Sequence, residues 1–221
     1  MAQVYTVHPD SPQPRIVAQI RDALRAGAVM LYPTDTVYAI GCDLNSKSAV
    51  QKVRQLKQLA NDKPLTFLCP SLSDIAKYAQ VSDPAYRLMR RLVPGAVTFI
   101  LPATKLVPKL VQNPKRKTTG IRVPDHAVAQ ALLEALGNPI ISTSATVGVS
   151  SEDEYMPVLS ASTAELFDAF EKLVDIIVDN GQEPSHEVST VLDLCEEPVK
   201  ILRQGLGWDE IEPLLEGAIA Q

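Results

Sequence analysis

Short apolar runs alternate with amphipathic stretches along almost the whole chain, and few architectures accept such a pattern. Pro14 to Ala26 puts Ile16, Ile20, Ala23 and Leu24 on one helical face and stops at Gly27, after which Ala28 to Tyr32 reads as a strand. Ser46 can cap a helix whose apolar stripe is Ala49, Val53, Leu56 and Ala60. Leu65 to Cys69 is a strand, and Ser71 and Asp74 have the spacing of a capping box before Ile75 to Ala79, with Asp shorter than the usual Glu or Gln. Asp83 to Leu92 follows as helix, Pro94-Gly95 as turn, then Val97 to Leu101 and Thr119 to Val123 as strands. His126 to Leu136 is helix ending at Gly137, and Ile140 to Thr143 is strand. Ser162 and Glu165 form a capping box for Thr163 to Phe170. Ile176 to Val178, Thr190 to Leu194 and Val199 to Leu202 are short strands, and a helix from Asp209 to Leu215 follows them. The pattern predicts an α/β fold with a twisted, mixed sheet, in which the later strands lack crossover helices and are expected to pair antiparallel.

The 221 residues, 46% of them hydrophobic, can bury a sizeable core, and one domain spanning 1–221 is expected. There is no run of about 18 apolar residues, and His8, Pro9, Asp10, Ser11 and Pro12 stand where a secretory signal would be apolar, so a cytoplasmic protein without a membrane segment is expected. Cys42, Cys69 and Cys195 are far apart and lack C-x-x-C spacing, which suggests small core residues rather than a disulfide framework or a zinc site. His8, His126 and His186 are equally isolated and read as surface or capping residues.

Charge is unevenly distributed. The net is −5, yet Pro84 to Pro124 holds Arg87, Arg90, Arg91, Lys105, Lys109, Lys115, Arg116, Lys117 and Arg122 with no acid, whereas from Ser150 onward 17 acids face Lys172, Lys200 and Arg203. A cationic region in an acidic protein attracts polyanions, either nucleotide phosphates or an RNA backbone, although charge runs often serve only solubility. Lys115-Arg116-Lys117 follows Asn113-Pro114, and three adjacent cations on a loop would be relieved by a bound anion. The Ser-, Glu- and Asp-rich loop from Thr146 to Tyr155 is the candidate lid.

Polar clusters fall at strand ends. In Leu31-Tyr32-Pro33-Thr34-Asp35-Thr36, Pro33 ends ladder pairing, and two hydroxyls and a carboxylate follow just outside the sheet. A self-bonded turn accounts for these side chains as well as a ligand does. Arg122 ends its strand and can grip a carboxylate or phosphate with two N–H groups. Ser142-Thr143-Ser144-Ala145-Thr146 ends another, with Ser142, Ser144 and Thr146 on one side if extended. Lys57, near a helix C-terminus, and Lys63, in the loop Asn61-Asp62-Lys63-Pro64-Leu65, add cations, with helix capping as the rival role for Lys57. Neither G-x-x-x-x-G-K-[ST] nor G-x-G-x-x-G occurs, so a nucleotide would be held by dispersed cations and hydroxyls.

Tyr32-Pro33-Thr34-Asp35-Thr36-Val37-Tyr38-Ala39-Ile40-Gly41, Lys57…Lys63-Pro64-Leu65, Pro94-Gly95-Ala96-Val97-Thr98, Gly120-Ile121-Arg122-Val123-Pro124, Ser142-Thr143-Ser144-Ala145 and Ser189-Thr190-Val191-Leu192-Asp193 occur in this order. Together they resemble the threonylcarbamoyl-AMP synthase (YrdC-like) family over nearly the whole chain. The resemblance implies a twisted mixed sheet with flanking helices and a concave, positively charged cleft. It also implies a reaction in which ATP, L-threonine and bicarbonate give threonylcarbamoyl-AMP and pyrophosphate, the first step toward the t6A base of tRNA. In that reaction Lys57 and Arg122 would be catalytic. Thr34, Arg122 and Ser189 would hold threonine, and Lys57, Lys63, Ser142, Ser144, Thr146 and Arg203 would hold the nucleotide, with Mg²⁺ arriving on ATP.

Three positions depart from the family pattern. K-x-R and S-x-N map onto Lys57-Gln58-Leu59 and Ser144-Ala145-Thr146, and Leu68 stands where the family often carries a histidine near the substrate. These departures resemble the YciO branch. Leu offers no donor to phosphate, and Thr lacks the paired donor and acceptor of an amide. Losing one charged hydrogen bond of this kind costs about 1.5–3 kcal/mol. Other readings stay open on the residues alone: a tRNA- or double-stranded-RNA-binding protein using Lys115, Arg116 and Lys117, a nucleotide-dependent regulator, or a carbamoyl-type enzyme with another amino acceptor. Only Tyr86 and Phe99 supply aromatics in the basic region, which argues against base stacking on single strands.

Overall fold

In the computed structural model residues 1–57, 64–145 and 162–219 are described. In chain order they form β1 (Gln3–Thr6), α1 (Pro14–Arg25), β2 (Val29–Tyr32), β3 (Ala39–Asp43), α2 (Lys47–Leu56), β4 (Thr66–Leu68), α3 (Leu72–Tyr78), α4 (Asp83–Leu92), β5 (Val97–Pro102), β6 (Thr118–Arg122), α5 (Ala127–Leu136), β7 (Ile140–Ser144), α6 (Thr163–Phe170), β8 (Ile176–Asp179), β9 (Thr190–Asp193), β10 (Lys200–Arg203) and α7 (Trp208–Ile219). These strands make a single sheet in the order β1-β8-β2-β3-β7-β4-β6-β5-β9-β10. Lys63, Leu59, Ala60, Thr146 and the loop from Thr146 to Tyr155 lie outside the described residues.

The helix signals translate directly into caps. Ser46 Oγ accepts from Ala49 N, Ser71 Oγ from Asp74 N and Ser82 Oγ from Ala85 N, and Ser162 and Glu165 close a full capping box. At Ser71 the shorter Asp74 carboxylate takes the Ser71 hydroxyl at 2.6 Å. Gly137, in the left-handed conformation at φ 77°, closes α5.

The expected antiparallel pairing of the later strands is corrected: β8 runs parallel to both β1 and β2, and β9 runs parallel to β5, so only β9–β10 is antiparallel. The reason is that β8 and β9 pair with strands far back in the sequence rather than with each other, and the intervening α/β segments serve as long crossovers. Two strands went unread, β1 and β3; β3 is paired antiparallel between β2 and β7.

Alternation sorts the strands' side chains onto two faces. On one, Leu31, Ile40, Phe67, Phe99, Ile121 and Ile141 join side chains of α2, α3, α4, α6 and α7 in the larger core. On the other, Met30, Tyr32, Leu68, Ile140 and Val178 pack against Val17, Ile20 and Leu24 of α1 and Val128, Leu132 and Leu136 of α5. Among the described residues this second core takes in nothing from β5, β6, β9 or β10. The cover of α1 and α5 therefore ends near the β4–β6 boundary, and the functional cluster lies there.

Candidate functional site

Arg122, at the end of β6, is on the half-covered face because its neighbour Ile121 belongs to the larger core. Its side chain is almost fully buried, and each of its three nitrogens has a protein partner. Nη1 donates to Thr36 Oγ1 at 2.9 Å and Nε to the Gly95 carbonyl at 3.1 Å, while Nη2 meets Asp35 Oδ1 at 2.5 Å. The last is a charge contact without hydrogen-bond alignment, since neither atom has a well-directed partner.

The Thr34-Asp35-Thr36 segment forms the self-bonded turn its sequence allowed. Thr34 Oγ1 donates to the Val37 carbonyl at 2.7 Å and accepts from Thr36 N at 3.2 Å, which is a self-bonded turn. The same turn offers Thr36 Oγ1 and Asp35 to Arg122, and Asp35 Oδ2 also accepts from Asp125 N at 3.1 Å. Thr34 Oγ1 is 3.0 Å from Thr36 Oγ1, so the predicted threonine-binding hydroxyl is one bond removed from the guanidinium.

A second cluster faces the first across β5. Phe99 pairs with Ile121, which sets Thr98 beside Arg122, and Thr98 pairs with Val191 on the other side. Thr98 Oγ1 lies 2.9 Å from Ser189 Oγ, which accepts from Arg203 Nη2 at 3.1 Å, while Arg203 Nε holds the Ser189 carbonyl at 2.8 Å. Thr98 ends the run Pro94-Gly95-Ala96-Val97-Thr98. Its signal is the period-two pattern that turns Val97 and Phe99 to the core and Thr98 away.

Ser142 and Ser144 are half-buried on the same face, and Lys57, at the C-cap of α2, donates its ammonium to the Ser144 carbonyl at 2.9 Å. Tyr32 is fully buried, and burial pushes its phenol above its ordinary pKa, opposed by the Ser142 hydroxyl and the Arg122 charge. His126 caps α5 through Nδ1, and burial holds its imidazole below the usual histidine value; nearby Arg122 acts the same way, while Asp35 and Asp125 oppose.

Lys115, Arg116 and Lys117 are exposed, but the expectation that an outside anion relieves them is corrected for Arg116. Its Nη2 pairs with buried Asp193 at 2.8 Å, and Asn113 Oδ1 accepts from the backbone N–H groups of Lys115 and Arg116. The carboxylate comes from β9, more than 70 residues away, so no local pattern announced it. The cysteines are free; Cys42 and Cys69 are buried, and Cys195 is half-buried. Among the described residues no helix is long and apolar enough to cross a membrane, and no group of three or more His, Cys, Asp or Glu could hold a metal ion.

This sheet order, with an arginine and two hydroxyl clusters at strand ends, defines a class. Residues 22–205 match the Sua5/YciO/YrdC family, described as "telomere recombination", and the chain belongs to that family. It is 40% identical to the uncharacterized protein YciO of Escherichia coli K12 over 97% of this chain and 100% of that protein. The crystal structure of E. coli YciO superimposes with a TM-score of 0.86, covering 94% of this chain and 97% of that one. Threonylcarbamoyl-AMP synthase of Mus musculus is 33% identical over 87% of this chain and 68% of the synthase. The structure of Pyrococcus abyssi Sua5 complexed with L-threonine gives a TM-score of 0.83 at 27% identity, over 96% of this chain and 60% of that one.

Proposed function

We propose that this chain forms an aminoacylcarbamoyl adenylate, with L-threonine, hydrogencarbonate and ATP as substrates and pyrophosphate as the other product, serving t6A formation in tRNA. The observation that carries this reading is the register of β5 and β6, which faces the Arg122–Thr36–Thr34 cluster with the Thr98–Ser189–Arg203 cluster. Relatives that are threonylcarbamoyl-AMP synthases, one of them complexed with L-threonine, support the same substrate.

The chemistry asks little beyond positioning and charge compensation. The amine adds to hydrogencarbonate with loss of water, and a carbamate oxygen attacks the α-phosphorus as the bond to pyrophosphate breaks. The Arg122 guanidinium suits the amino-acid carboxylate by charge, with Thr34 and Ser189 beside it. Lys57, Ser142, Ser144 and Arg203, together with Lys63 and Thr146, are assigned to the nucleotide, and Mg²⁺ enters on ATP. Leu68, fully buried in the second core and paired in register with Arg122, makes that flank of the amino-acid seat apolar.

The test is ATP-dependent pyrophosphate release in the presence of hydrogencarbonate and each amino acid in turn, with adenylates identified by mass spectrometry. Lys57→Ala and Arg122→Ala are each expected to abolish release, and wild-type rates in both overturn the assignment. One observation favours RNA binding as a second reading: the exposed face of α4 carries Tyr86, Arg87, Arg90 and Arg91 against a single acid, Asp83. Affinity for double-stranded RNA that falls steeply with salt, without ATP turnover, selects that reading.

A further inference from the structure

Three hydroxyl-bearing side chains occupy neighbouring positions on the half-covered face of the sheet. Tyr32 pairs with Ala39, and its ring lies over Gly41, with Cε1 2.6 Å from where a Cβ at position 41 would stand. Gly41 pairs with Ser142, Ser142 with Thr66 and Thr66 with Gly120, so these positions form one row across β3, β7, β4 and β6. Thr66 Oγ1 in turn lies 2.6 Å from where a Cβ on Gly120 would stand. Two glycines thus make room for side chains that bring Tyr32 Oη, Ser142 Oγ and Thr66 Oγ1 into one row.

The Tyr32 hydroxyl is fully buried and has no aligned hydrogen bond. A phenol in that state is disfavoured unless a partner reaches it, and nothing in its packing requires an oxygen there, because phenylalanine would fill the same space. Ser142 and Thr66 are half-buried, so the row is open along the sheet. Two residues beyond Thr66, Leu68 pairs with Arg122; two beyond Ser142, the Ser144 carbonyl holds Lys57. Arg122 therefore lies beyond the row in one direction along the strands, and the Ser144 carbonyl that Lys57 reaches from the C-cap of α2 lies beyond it in the other.

We propose that Tyr32 and Thr66, with Ser142 at the border shared with the nucleotide, seat a small three-oxygen monoanion, hydrogencarbonate in the reaction put forward above, and that Tyr32 and Thr66 are binding residues for it. Hydroxyls donate to such an ion without over-neutralising it, and its single charge is met by one cation on either flank; a triphosphate needs several cations in direct contact. The location suits the chemistry, since the carbon of this ion must be joined to an amine held near Arg122 and, through oxygen, to phosphorus held near Lys57. This inference rests on the proposed function for the identity of the ion, but its test does not depend on turnover.

Line broadening of ¹³C-labelled hydrogencarbonate is measured by NMR on the wild-type protein, on Tyr32→Phe and Thr66→Val, and on the double variant, with Thr66→Ser as the conservative control. The wild type and Thr66→Ser broaden the signal, and the double variant binds at least about tenfold more weakly. Tyr32→Phe keeps or raises the Tm, because it removes a buried hydroxyl that has no aligned hydrogen bond. No broadening by the wild type, or equal broadening by the double variant, overturns the seat, as does a lowered Tm in Tyr32→Phe with unchanged binding. If hydrogencarbonate binds through these hydroxyls but no amino acid elicits pyrophosphate release, the seat stands and the reaction falls. If release persists with an unchanged KM for hydrogencarbonate in the double variant, the reaction stands and the seat falls.

Discussion

Arg122 and Asp35 form a pair with side chains only 7% and 12% exposed, so each compensates a charge that water cannot reach. Removing one partner from such a pair is far more damaging than the pair is stabilising. Asp35→Ala is expected to cost about 3 kcal/mol by urea unfolding, and a loss below about 0.5 kcal/mol would show the pair to be solvated. His126 carries a proton-linked effect of definite sign. Its folded pKa lies below 6.5, with burial as the main cause, so as pH falls past 6.5 the unfolded chain takes up a proton that the folded one resists. Its contribution to stability is complete above 6.5 and declines below it. His126→Asn replaces the capping Nδ1 with an amide oxygen, and the drop in urea midpoint between pH 7.5 and 5.5 should be smaller in this variant than in the wild type. An equal drop would assign the linkage elsewhere. Arg122 and the Thr34 turn were legible because strand ends with polar side chains stand out in a sequence. Asp35 as the resident partner of Arg122 was not, because that match joins residues 87 positions apart.

Helices could be read from their caps to within a few residues, as Ser162 with Glu165 and Gly137 show, since both signals are local and chemical. Strands fared worse where no alternation exists. β3, with the sequence Ala-Ile-Gly-Cys-Asp, is buried at all five positions and so lacks a polar face to mark its period, and Gly41 in its middle reads as a loop. β1 failed for the opposite reason: it is a mostly exposed edge strand of four residues. The same Gly41 is a packing requirement. An added methyl would meet Tyr32 Cε1 and, at 2.7 Å, the Ile141 carbonyl oxygen, and backbone gives way less readily than a side chain. Gly41→Ala should therefore cost about 1–3 kcal/mol and shift the Tyr32 ring. An unchanged unfolding midpoint would show that β2 and β3 can part without penalty.

Among the described strands, sheet neighbours are consecutive in sequence only at β2–β3, β5–β6 and β9–β10. β1 pairs with β8, so residues 3–6 are matched to residues 176–179, and β5 pairs with β9, residues 97–100 with 190–193, in the sheet's other half. The acids concentrated after Ser150 return by this route, and Asp193 reaches Arg116 only because β9 inserts beside β5. A fragment comprising residues 1–170 is expected to lack cooperative unfolding and to be cut rapidly by protease, because β8 is missing between β1 and β2; a sharp melting transition in the fragment would refute this. During synthesis the consequence is a waiting time. Val29, Met30, Leu31 and Tyr32, each wholly inaccessible to water in the finished protein, leave the ribosome well before their neighbour Ile176–Asp179 exists. Until then the nascent chain presents an unmatched hydrophobic border, the kind of surface that chaperones bind and aggregates grow from.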